Sequence, residues 1–140
     1  MNRQPNQTSE IRVRYAETDQ MGVAYHGAIL PWFEIARTDW LRHTGMSYQK
    51  MEEVFSIHFA VVEASFKYIQ RIYYDDLIEA RANLSELGAV QLCFSYELEC
   101  VNRGGLCVTG FSRHACVDKE GRPVRIPDEI KRLIAGHKSS

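Results

Sequence analysis

From Ala28 to about Thr44 the apolar residues Ile29, Trp32, Phe33, Ala36, Trp40 and Leu41 recur three or four positions apart, and after Phe55 this period gives way to alternation in twos. The first pattern predicts one amphipathic helix of about 25 Å. Pro31 is expected in its first turn, where N–H groups lack intrahelical partners, and Gly45 just past its end, where a left-handed residue is wanted. The second pattern predicts a sheet. In the first of its strands Ala60, Val62, Ala64, Phe66 and Tyr68 oppose Val61, Glu63, Ser65, Lys67 and Ile69. The turn at Asp75-Asp76 leads into Leu77 to Leu87, with Ile78, Ala80, Ala82 and Leu84 on one face. Gly88 precedes Leu92 to Cys100, and Asn102-Arg103-Gly104-Gly105 forms a hairpin into Leu106 to Val117. Pro127-Asp128-Glu129 opens a short final helix. A further short strand, Glu10 to Tyr15, stands before the long helix. One long helix among successive antiparallel strands is α+β, and a sheet wrapped around that helix satisfies the layer argument. The open strand edges point to pairing between subunits.

The chain of 140 residues is expected to form a single domain, with residues 1–9 and 137–140 as flexible ends. Its formal net charge of -1 supplies no positive field for a nucleic-acid backbone. No apolar run is long enough to span a bilayer and no secretory leader opens the chain, so the expected location is cytoplasmic. Cys93, Cys100, Cys107 and Cys116 fall in strand-like stretches without metal-ligand spacing and are expected to be reduced, buried thiols. His43, His58, His114 and His137 fit no metal pattern either and are expected to be structural or surface groups. Glu63, Ser65 and Lys67 fit a solvated sheet face. No phosphate-binding glycine loop and no nucleophile elbow occurs, and no cofactor is expected.

The segment AETDQMGVAYHG is too irregular for either period and is therefore a loop. Asp19 lies in it, too far upstream of Ile29 to cap the helix simply. Seven residues later the chain enters that helix, whose first N–H groups lack internal partners and carry the positive end of the dipole. A carboxylate beside such donors can attack a carbonyl, or activate water to do so, while the N–H groups of His26, Gly27 or Ala28 receive the developing negative charge. Gly22 and Gly27 suit close approach of backbone to a ligand.

The string RVRYAETDQMGVAYHGAILPWFEIART, through Arg12-Val13, Thr18-Asp19, Gly22-Val23 and His26, resembles the active-site signature of the 4-hydroxybenzoyl-CoA thioesterase family, of the hotdog fold. Similarity to its acyl-CoA thioesterase branch, the one associated with the Tol-Pal system, continues through Trp32-Phe33-Glu34 and Ala36-Arg37-Thr38. It returns weakly at Tyr73-Tyr74-Asp75-Asp76. Ile29 departs from the usual aromatic, and Arg71-Ile72 from the usual Pro-Ala step. The resemblance implies an acyl-CoA thioesterase of lipid metabolism, with Asp19 as nucleophile or general base and His26 as a supporting polar group. Tyr25, Gly27, Ala28 and Ile29 would line the substrate. It further implies a homodimer or homotetramer with the site at a subunit interface and coenzyme A phosphates met by surface Arg or Lys. Two rival readings are an enoyl-thioester hydratase, which needs a His base, and a noncatalytic acyl-CoA-binding or scaffold protein.

Overall fold

The structure, a computed structural model, describes residues 8–138. Most of residues 1–9 and 137–140, expected to be flexible ends, lies outside the described residues. Thr8 and Ser9, however, are ordered in the first strand, β1 (Thr8–Arg12), where the Ser9 hydroxyl donates to Asp39 Oδ2 at 2.6 Å. The strand therefore starts before Glu10. It also stops short of Tyr15, which opens a single 3-10 turn, Tyr15–Glu17, closed by the Arg14 N–H on Glu17 Oε1 at 2.8 Å.

The long helix, α1, spans His26–His43. It begins two residues before Ala28, so Pro31 stands in its second turn and not its first. The missing N–H of Pro31 leaves the Gly27 carbonyl without its usual donor; exposure of this face lets water supply one. Thr44 caps the C-terminus and Gly45 follows at φ +96°, the left-handed position expected of it. A short helix α2 (Tyr48–Lys50), with Ser47 as its N-cap, runs into a π turn at Met51–Phe55 that ends on Ser56.

Four strands follow: β2 (His58–Tyr68), β3 (Leu77–Leu87), β4 (Gln91–Cys100) and β5 (Leu106–Val117). The terminal helix α3 covers Asp128–Ala135. The strands form one antiparallel sheet in the order β1-β3-β4-β5-β2. The architecture is α+β and the fold is hotdog: the sheet curls about α1, whose buried residues Ile29, Trp32, Phe33, Ala36, Trp40 and Leu41 meet β1, β3 and β4. Ile78, Ala80, Ala82 and Leu84 form the inner face of β3, as their alternation requires.

β2 departs from simple alternation. A bulge between Val61 and Glu63 inserts Val62, so Val61 pairs with His114 while Ala64 pairs with Ser112. Ala60, paired with Ala115, therefore does not share a face with Ala64, Phe66 and Tyr68, which pair with Ser112, Gly110 and Val108. β2 is also an edge strand, and Val61 and Val62 are 55% and 53% exposed. Cys93, Cys100, Cys107 and Cys116 are buried and unbridged. Among the described residues no helix is long and apolar enough to cross a membrane.

Candidate active site

Residues 13–25 form a hairpin-like loop pinned on both sides. Its arms pair at Thr18 and Ala24, and the tip closes with the Asp19 N–H on the Val23 carbonyl at 2.9 Å and the Gly22 N–H on the Asp19 carbonyl at 3.0 Å. Gly22 has φ +75°, a conformation that side chains with a Cβ resist. The crossover between β2 and β3 backs this loop. Tyr74 N–H donates to the Gly22 carbonyl at 3.0 Å, Ala24 N–H to Ile72 at 2.7 Å, and Val13 N–H to Asp76 at 2.9 Å.

Asp76 in turn fixes the crossover. It is 4% exposed and accepts from the Tyr73 N–H at 2.8 Å, Asn102 Nδ2 at 3.0 Å and Arg103 Nη2 at 2.5 Å. Burial alone would raise its carboxyl. The hydrogen bonds from Arg103, the Tyr73 N–H and Asn102, with the guanidinium charge, outweigh burial and hold it at about 2.

The Asp19 carboxylate is divided in its duties. Oδ1 accepts the Met21 N–H at 2.8 Å and the Val23 N–H at 3.3 Å, the side-chain turn that fixes the loop tip. Oδ2 meets no protein donor among the described residues, and the side chain is exposed. The Tyr68 phenol of β2 lies within electrostatic reach. Its pKa is raised first by partial burial and then by the Asp19 charge.

On the other arm, Tyr25 is the N-cap of α1, and its own N–H donates to the Glu17 carbonyl at 3.2 Å. The Ala28 N–H already donates to the Tyr25 carbonyl at 3.0 Å, which removes it from the set of expected oxyanion donors. The N–H groups of His26 and Gly27 have no acceptor among the described residues. Both residues are exposed. The Tyr25 ring lies edge-on to His26 at 6.0 Å and covers Gly27 so closely that a Cβ there would overlap it.

Tyr25, His26 and Gly27 thus come together at the helix start, with Asp19 on the adjoining loop. Two expected substrate-wall residues do not join them: Ala28 is 4% exposed and Ile29 fully enclosed, because both lie on the face of α1 that packs on the core. Glu17 and Tyr68 were not anticipated. The signal for Glu17 was a buried tryptophan whose indole N–H must find an acceptor.

Residues 13–134 match the thioesterase-like superfamily. The chain belongs to the thioesterase-like superfamily. It is 33% identical over 118 residues to a putative acyl-CoA thioesterase, YneP, of Bacillus subtilis, spanning 83% of each chain. It is 32% identical over 123 residues to the acyl-CoA thioesterase YbgC of Haemophilus influenzae, spanning 86% of this chain and 88% of that one. A hypothetical protein of Thermus thermophilus, TT1821, superposes with a TM-score of 0.85 at 35% identity, over 93% of this chain and 98% of that structure.

Proposed function

We propose that this hotdog protein hydrolyses acyl-coenzyme A thioesters to the free acid and coenzyme A, with Asp19 and the first turn of α1 as the reacting site. One observation carries the assignment of the site: Asp19 is anchored through one carboxylate oxygen and free at the other, on a loop that leads directly to two unengaged helix N–H groups. Superfamily membership and the acyl-CoA thioesterase names of its relatives support the reaction.

A thioester carbonyl oriented on the His26 and Gly27 N–H groups would have its oxygen polarised by fixed donors and by the helix dipole. Asp19 Oδ2 then attacks the carbonyl carbon, the C–S bond breaks, and the thiolate leaves with a proton from water. Water cleaves the resulting anhydride and restores the carboxylate. The route in which Asp19 takes a proton from an attacking water uses the same atoms. Both routes need an accessible Oδ2, and of the two we favour direct attack, because a loop carboxylate beside the helix-start donors can approach the carbonyl closely. A hydratase would need a histidine base. The Thr18-Asp19 and His26 signature, which resembles that of the thioesterases, argues against that reading.

We also assign the site to a homodimer, with the homotetramer implied by the family resemblance as a further step. β2 stands at the sheet's edge with exposed Val61, Val62 and Tyr68, and exposed Ile69 follows it, a combination that invites pairing with a second copy. The location we assign is cytoplasmic. The acyl-CoA branch associated with the Tol-Pal system remains our reading of the helix motif.

Free-thiol release from a panel of short, long and aromatic acyl-CoAs tests the activity. Asp19→Asn keeps the size of the side chain but can neither attack nor accept a proton, and should lower kcat by several orders of magnitude in a folded protein. Near-normal turnover of this variant would overturn the site. An acyl-CoA that raises the melting temperature of the parent without thiol release would instead favour a noncatalytic binder. Sedimentation at micromolar concentration should show a dimer or larger species.

A further inference from the structure

We infer that Glu17 is a positioning residue that sets the Asp19 loop at a fixed place against the start of α1, an inference that rests on the assignment of Asp19 above. Glu17 touches both halves of the site. Its backbone carbonyl accepts the Tyr25 N–H at 3.2 Å, which fixes the N-cap and hence the position of the free N–H groups at His26 and Gly27. Its side chain accepts the indole N–H of Trp32 at 3.0 Å, one and a half turns into the helix. The same carboxylate takes the Arg14 N–H at 2.8 Å and the Arg14 guanidinium at 3.2 Å, which ties it to the chain leaving β1. Two residues further on stands Asp19.

The geometry makes this contact hard to replace. Trp32 is fully buried, and its indole N–H has a strong need for an acceptor because no water can reach it. The Glu17 side chain is 14% exposed, so the bond to the indole is charge-assisted in a poorly solvated place. Burial works against the ionised form, yet the Arg14 and Trp32 donors together lower the pKa of Glu17. Without the carboxylate, the loop would keep its pairing with the crossover at Ile72 and Tyr74 but lose its side-chain attachment to α1. The Asp19 carboxylate and the helix N–H groups would then no longer be held at one separation. A misplacement of about 1 Å at a reacting group costs on the order of a hundredfold in rate.

The test compares Glu17→Ala, Glu17→Gln, Trp32→Phe and the Glu17→Ala/Trp32→Phe double variant by thiol release, with Asp19→Asn alongside. Glu17→Ala should lower kcat by about ten- to a hundredfold with KM changed by less than about threefold, because positioning of the reacting groups and not substrate affinity is lost. Trp32→Phe should lose activity through the same link, so the double variant should be little worse than the worse single one. Glu17→Gln, whose amide oxygen still accepts the indole N–H, should recover a large part of the loss and retain the near-ultraviolet circular dichroism of an immobilised Trp32.

Parental kcat in a folded Glu17→Ala variant would overturn the inference. So would losses in the two single variants that multiply fully in the double, or a fall in kcat for Glu17→Gln as deep as for Glu17→Ala with the Trp32 signal intact. If Asp19→Asn is inactive while Glu17→Ala works normally, the positioning role alone fails. Turnover that survives in Asp19→Asn overturns the assignment of Asp19, and the positioning role with it.

Discussion

Gly110 of β5 lies against the Phe33 ring of α1 so closely that a Cβ on it would overlap the edge of the ring. Phe33 cannot retreat. It stacks on Tyr96 at 4.2 Å and meets the Phe66 ring edge-on at 6.2 Å. Here the sheet closes on the helix, and only glycine allows that approach. Gly110→Ala should therefore destabilise the protein by about 1–3 kcal/mol, the usual cost of overpacking a filled interior. Denaturant unfolding measures it; an unchanged midpoint would mean that the helix and sheet are not packed as described. Phe33→Leu in the same chain should return part of the loss.

A buried polar chain beneath this contact predicts how stability depends on pH. Arg37 donates to the Tyr96 hydroxyl at 3.0 Å, Tyr96 and Ser112 share a 2.6 Å bond, and Ser112 meets His114 Nε2 at 2.7 Å. His114 is 1% exposed and its Nδ1 has no partner among the described residues. Burial first, and then the Arg37 charge, depress its pKa from 6.5 to about 4. Above the unfolded value the ring is neutral in both states and contributes nothing. As pH falls below it, the unfolded chain gains a proton that the folded one refuses, so stability declines until the folded value is passed. The total loss is on the order of 3 kcal/mol. Unfolding free energies at pH 7, 5.5 and 4 should show this slope, and His114→Gln should flatten it.

Asp76 should act in a lower, separate window. Its folded pKa of about 2 lies below the ordinary 3.8, so its contribution is fully present at neutral pH and is lost as pH falls through the folded value. About 2 kcal/mol is at stake. Asp76→Asn should destabilise at pH 7 and differ little from the parent near pH 2. A constant difference across that range would show that the carboxylate charge is not what Arg103 and the crossover depend on.

The parts of this fold that were legible in sequence are those where one periodicity runs unbroken. β3 alternates from Leu77 to Leu84, up to its register shift at Leu84/Glu86, β4 alternates from Phe94 to Cys100, and α1 carries its apolar stripe from Ile29 to Leu41, about three turns. Where neighbours are chemically alike the pattern loses its phase: Val61 and Val62 give no hint of which is the extra residue in the bulge. The apolar stripe alone marks α1 only from Ala28, because His26 and Gly27 contribute nothing to it. The stripe itself points Ile29 into the core, but with the helix opening at His26 the Ala28 N–H is taken by the Tyr25 carbonyl, which the stripe does not show. Asp19 is legible through its loop and motif. Its second duty, holding the Met21 and Val23 N–H groups, depends on a turn only coordinates display. Glu17 belongs to the site through contacts fifteen residues apart, with Trp32, and no local pattern predicts such a pair.

The two functions combined in His26, a backbone donor and an imidazole, can be separated because of where the residue stands. It is the first residue of α1, a position that proline fills readily, and the preceding Tyr25 has φ -91° and ψ 164°, an extended conformation compatible with a following proline. His26→Pro therefore removes the N–H and the imidazole while leaving the helix its start; His26→Ala removes only the imidazole. If the backbone donor holds the oxyanion, His26→Ala should lose roughly tenfold or less in kcat, whereas His26→Pro should lose about a hundred- to a thousandfold, the usual effect of removing one such donor. Circular dichroism and melting temperature should show both variants folded. Equal losses in the two variants would transfer the role from the backbone to the ring, and equal retention of activity would leave the Gly27 N–H as the donor at the helix start.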